Sequence, residues 1–132
     1  AFQVLSGCFN NPETLSALSP ALTLGQNAVF EVEDQSGSPG LALLYVGLPG
    51  VTGSACGLFV PGIGEILLAF PPLPTLLASS PAPVGVGSFT VPVPLAPHAA
   101  GMQIGFQGVF IHLSPPGATL TLSNALLGTF AL

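Results

Sequence analysis

VGSFTVPVPLAPHAAGMQIGFQGVFIHL, residues 86–113, is the stretch whose reading decides the fold. Phe89, Val91 and Val93 fall on one face of an extended segment, with Thr90, Pro92 and Pro94 on the other. Ile104, Phe106 and Phe110 then share a face of a second segment, and apolar–polar alternation of this kind predicts strands. A loop bounded by prolines joins the two. Proline donates no ladder hydrogen bond, so Pro92 and Pro94 place the first strand at a sheet edge, or turn its alternate N–H groups away from a partner.

Working outward, the same alternation recurs. In residues 27–34, Ala28, Phe30 and Val32 point one way and Val29, Glu31 and Glu33 the other. Residues 41–46 (LALLYV) are apolar on both faces, as in a strand covered on both sides. Shorter strands are expected at 21–24, 56–60, 66–70, 76–78, 118–122 and 126–132. Residues 13–18, behind Pro12, could form one helical turn or a loop. Turn-rich clusters fall at 35–40 (QSGSPG), 47–53, 79–85 and 115–117. Short strands with turn signals every 8–12 residues predict an all-β fold, an antiparallel β-sandwich of about seven to nine strands, immunoglobulin-like or jelly-roll-like. With 17 glycines and 15 prolines the chain approaches the composition of disordered segments, but the regular apolar spacing opposes that reading.

The 132 residues are expected to form one domain over 8–132, preceded by an extended arm at 1–7. Charged residues make up only 4%, against about 25% in ordinary domains, and there is no lysine or arginine. Polar surface must therefore come from hydroxyls, amides and backbone, and some apolar surface must remain. Large apolar patches mark interaction sites; a monomer coated in hydroxyls and small residues is the alternative. A net charge of −5 with no cation excludes the usual recognition of nucleic acid, which displaces counterions with Lys and Arg. Attachment to anionic membranes is disfavoured for the same reason. Apolar runs such as 41–46 and 66–70 end well short of the ~18 residues of a membrane span. Trypsin has no site to cut.

The chain opens at Ala1 without methionine, as expected of a processed, secreted form found outside the cell or at its surface. Cys8 and Cys56 fit one disulfide in an oxidising compartment, worth about 4 kcal/mol in the chain-entropy model; two buried thiols are the alternative.

Residues 39–47 (PGLALLYVG), 54–60 (SACGLFV), 87–94, 101–107 (GMQIGFQ) and 122–126 (LSNAL) follow one another in a set order. That order resembles a group of secreted β-sandwich domains of uncharacterised function, common in planctomycetes and related bacteria. The resemblance covers roughly residues 37–127. Leu95 stands where the pattern carries Asn, and the loss of all Lys and Arg is a further departure. The resemblance implies secretion and a sandwich fold and says little about activity.

No catalytic constellation is apparent, and no cofactor or metal is expected. The nearest approach to a nucleophile elbow, residues 53–57 (GSACG), fails the pattern. His98 lies in the proline-bounded loop, and His112 continues the face of Phe110; neither has a Cys or carboxylate at metal-ligand spacing. A triad of a serine, His112 and Asp34 would have to assemble from distant positions. Glu31, Glu33 and Asp34 could bind Ca²⁺ weakly, but their spacing matches no calcium loop and fits a solvent-facing strand edge. The single Tyr45 and the absence of Trp weaken a lectin reading.

The arm carries the strongest functional expectation. Residues 1–7 are uncharged and β-compatible, and a disulfide at Cys8 would anchor their root. Such an arm can add as a strand to the next subunit, with Phe2 and Val4 as plugs and Leu5 on the opposite face. A head-to-tail contact of this kind builds filaments. The alternative is that the arm pairs within its own sandwich, and residues 126–132 are another candidate for exchange. Two functions are therefore expected from different classes: a structural subunit of an extracellular filament or surface layer, whose partners are copies of itself, or a monomeric adhesion or ligand-binding module.

Overall fold

The computed structural model describes residues 2–9, 11–34, 37–49, 56–69, 74–114 and 117–132. Eleven strands follow one another: β1 (Phe2–Leu5), β2 (Leu15–Ala17), β3 (Leu22–Thr23), β4 (Asn27–Glu33), β5 (Gly40–Gly47), β6 (Leu58–Val60), β7 (Gly64–Ile66), β8 (Thr75–Ala82), β9 (Val86–Pro92), β10 (Gln103–Ser114) and β11 (Gly117–Ala131). The large sheet has the order β1-β11-β10-β5-β8, all antiparallel, and β3 adds in parallel beside the end of β11. The second sheet, β2-β4-β9, is antiparallel and lies over it; β6 and β7 form a separate hairpin. The chain is thus an all-β sandwich, as its alternation predicts. The strand count exceeds nine because several strands are only two or three residues long.

Alternation is realised as burial. Ala28, Phe30 and Val32 from β4 and Phe89 and Val91 from β9 are buried against Ala42, Leu44, Phe106, Phe110 and Leu126 of the large sheet. Phe30 is fully buried at the centre, its ring centroid 4.6 Å from that of Phe106 and 5.6 Å from that of Phe2, which it meets edge to face. β9 is an edge strand, as Pro92 requires, with β4 as its neighbour.

Several expected boundaries are corrected. Residues 86–92 and 103–114 belong to different sheets, because the loop between them, with a 3-10 turn at Pro97–Ala99, carries the chain across the core. Their aromatic faces therefore meet across the sandwich and not side by side. The option of a helical turn at 13–18 gives way to β2. The strand expected at 66–70 lies earlier, as β7; Leu68 makes only an isolated bridge to Pro49. β8 runs through Ser79, Ser80 and Pro81, where a turn-rich link was expected, because an outermost strand tolerates a proline opposite Leu41. The two strands expected at 118–122 and 126–132 are one, β11. Positions 50–53 of the 47–53 loop, Phe70, the prolines at 71–72, Gln35 and Ser36, and the turn residues 115–116 lie outside the described residues.

β11 is continuous because it absorbs a bulge. Gln107 pairs with Ala125 and Val109 with Leu122, so Ser123 and Asn124 together oppose Gly108. A bulge adds one residue to one strand and re-aims its side chains. A Cβ at Gly108 would lie 2.7 Å from Val32 Cγ2, so only glycine lets the second sheet approach here.

Candidate functional site

Sulfurs of Cys8 and Cys56 are bonded, with 5.2 Å between the Cα atoms. The bond fastens the root of β1 to the segment entering β6. Glu65, fully buried on β7, sits directly beneath. One carboxyl oxygen accepts the Phe9 N–H at 3.0 Å, and the other accepts the Gly57 N–H. These are the residues that immediately follow the two cysteines, so one side chain holds both chains that the disulfide joins.

The backbone of Glu65 is held as firmly. Asn11 accepts its N–H at 3.0 Å and donates to its carbonyl at 2.7 Å. Gln107 donates to the same carbonyl at 2.8 Å and to the Ser123 carbonyl at 3.0 Å, while its own oxygen accepts the Leu67 N–H. The bulge supplies the rest. Ser123 Oγ accepts from Gly108 N–H, and the Asn124 amide exchanges two hydrogen bonds with the backbone of Leu15. Asn124 thereby ties the large sheet to the second sheet, and Gln107 and Asn11 tie the β6–β7 hairpin to the opposite face. Among the described residues every buried side-chain polar atom has a partner. Replacing Gln107 by leucine strands Leu67 N–H and removes a donor from two carbonyls. The expected loss is about 2–3 kcal/mol, read as a lower urea midpoint at unchanged slope.

The arm residues are placed as follows. β1 pairs with β11 of its own chain, Phe2 opposite Gly128 through Leu5 opposite Ala125. Phe2 packs into the core, and Leu5 packs on the other side with Leu67 and Ala125. Val4 is half exposed and lines a groove, with Leu15, Ala17 and Pro20, between β1 and β2. Gly7, at φ +75°, turns the chain from β1 towards Cys8. β1 ends the large sheet on one side and β8 on the other, and neither carries a charged residue. Exposed apolar side chains lie near both ends: Leu76 and Leu77 on β8, and Phe9, Leu58 and Phe59 around the disulfide, where the rings of Phe9 and Phe59 stand 4.3 Å apart.

Asp34 and His112 are brought together. Asp34 Oδ1 lies 3.4 Å from His112 Nε2, and Thr121 Oγ1 faces that same nitrogen at 3.4 Å. A relay needs the carboxylate and the hydroxyl on opposite ring nitrogens. Here both crowd one, and the other carboxyl oxygen of Asp34 accepts the Ser38 N–H of the adjoining turn. The arrangement links the second sheet's end to β10 and offers no activated hydroxyl. His98 is exposed in the 3-10 turn. Glu31 and Glu33 do not converge with Asp34. Among the described residues the converging ligand-type groups are Cys8, Cys56 and Glu65, and their sulfurs are spent on each other.

A hollow opens on the large sheet's outer face, away from the second sheet. Its floor is built of cross-strand rows: Leu122, Val109 and Leu43 are successive partners on β11, β10 and β5, Leu120 pairs with Ile111, and Gln107 with Tyr45. Ile63, Ile66, Leu68 and Pro74 rise beside it, and the cavity volume is about 450 Å³. Antiparallel sandwiches commonly leave this face polar; here it is aliphatic.

The architecture and its polar knot define a disulfide-clipped all-β sandwich. No protein-family model, curated protein or solved structure matches the chain. No helix among the described residues is long and apolar enough to cross a membrane.

Proposed function

We propose that this chain is a structural subunit of a self-assembling extracellular filament or surface layer, joined by apolar contacts and by exchange of β1 between copies. The observation that carries this reading is that the large sheet ends in two uncharged strands, FQVL on one side and TLLASSPA on the other. Folded proteins blunt such edges with lysine and other charges. This chain has no cation to place there, and keeps only a bulge between Leu44 and Tyr45 partners and Pro81 on β8.

In the exchange, β1 leaves its own β11 and pairs in the same register with β11 of the next copy, where Phe2 meets that copy's Phe30. Gly7 is the hinge, and the disulfide keeps the root of the arm in place. The disulfide also agrees with an oxidising compartment. Non-enzymatic action fits the crowding of Asp34 and Thr121 on one nitrogen of His112.

Negative-stain microscopy of material released without denaturant is expected to show regular fibres or sheets that persist in high salt, since apolar contacts are not screened. Deleting residues 1–7 abolishes the fibres. A synthetic peptide of residues 1–7, in excess, shortens them by capping β11, which tests the exchange without requiring the truncated chain to fold. Dispersed monomers, or fibres untouched by both treatments, overturn the proposal. Monomers would favour the second reading, a ligand-binding module, for which the hollow is the supporting feature.

A further inference from the structure

We infer that the outer-face hollow of the large sheet is a binding site for one uncharged aliphatic molecule of the long-chain alcohol class. This inference stands apart from assembly, and its test reads binding whether or not the chain polymerises.

The volume of about 450 Å³ falls within the range of small-molecule sites. The Leu122–Val109–Leu43 and Leu120–Ile111 rows are leucine, valine and isoleucine, and Tyr45 is the single aromatic side chain among the described lining residues, so the surface is mainly aliphatic. Polar groups are few and mostly committed. Gln107 spends its amide nitrogen on two carbonyls and its oxygen on Leu67 N–H, which leaves Tyr45 as the one lining side chain with a hydroxyl among the described residues.

Charge then selects among apolar ligands. A fatty acid or phospholipid head would need a cation, and the chain has no lysine or arginine and a net charge of −5. An anionic head is therefore repelled and unpaired, whereas a neutral chain with a single hydroxyl meets a matching surface. Covering this aliphatic face also removes apolar area from water, at about 25 cal/mol per Å².

The test titrates the purified chain with the neutral fluorescent probe N-phenyl-1-naphthylamine. A saturable signal at one probe per chain is expected, displaced by 1-dodecanol at concentrations at least about tenfold below those needed for dodecanoate. Leu120→Gln, at the exposed rim, weakens probe binding about tenfold, and Leu43→Phe, which fills part of the hollow without polarity, weakens it likewise. Val84→Gln, an exposed position outside the hollow, leaves it unchanged. A signal that does not saturate, equal displacement by the alcohol and the carboxylate, or equal loss in Val84→Gln overturns the inference.

Discussion

Replacing Glu65 by alanine is expected to lower folding stability by about 3–5 kcal/mol, measured as the urea midpoint of the oxidised chain. The side chain is wholly buried and accepts the N–H groups of Phe9 and Gly57. Leaving a buried donor without its partner costs about 1–3 kcal/mol, and both donors would be stranded under the disulfide. Glu65→Gln keeps the shape and one acceptor, so it should recover about half of the loss. The effect has a second component in folding. Phe9 and Gly57 adjoin the two cysteines, so the carboxyl group holds the sulfur-bearing chains together; reoxidation of the reduced variant should slow. A loss below about 1 kcal/mol would mean that water replaces the carboxyl group, and the proposed role of Glu65 would fail.

Phe30→Ala is expected to cost about 3–5 kcal/mol, the range for truncating a buried aromatic ring. Phe30 is the meeting point of the two sheets and of β1, because its ring touches both Phe106 and Phe2. A double-mutant cycle with Phe106→Leu should return a coupling of about 0.5–1.5 kcal/mol beyond the separate losses. Phe30→Leu retains apolar volume and should lose less than Phe30→Ala. Additivity of Phe30 and Phe106 would show that the ring contact is incidental packing.

Much of the fold was legible because burial has a period of two. Ala28, Phe30 and Val32 announced the core face of β4, and Pro92 announced an edge, since a missing donor is a local property. The two cysteines likewise paired as expected. β8 was expected only at 76–78 because Ser79, Ser80 and Pro81 read as a turn; the outermost position in the sheet makes them acceptable as a strand. β11 was divided in two because Ser123 and Asn124 interrupt its apolar pattern. Their burial depends on a bulge opposite Gly108, and a bulge is a property of two strands paired together. Glu65 gave no local sign at all. Its partners are backbone groups 8 and 56 residues away in the chain, and nothing in the neighbouring GEI sequence marks it as buried. Gln107 and the LSNAL segment were noticed through a resemblance, while their work as ties between layers became readable only from the hydrogen bonds.

The covalent clip also decides how the molecule would carry a pull. Tension applied between the two ends enters at β1 and, once that strand peels away, reaches Cys8. From there it passes through the sulfur bond to Cys56, bypassing the 47 residues of chain between them. Strands β2, β3, β4 and β5 lie inside that bypass, so about 160 Å of contour cannot be paid out under load. With the bond intact the enclosed segment cannot be drawn out even after β8, β9 and β10, the partners of β4 and β5, have been pulled away, so the protein lengthens less under load than its 132 residues would allow.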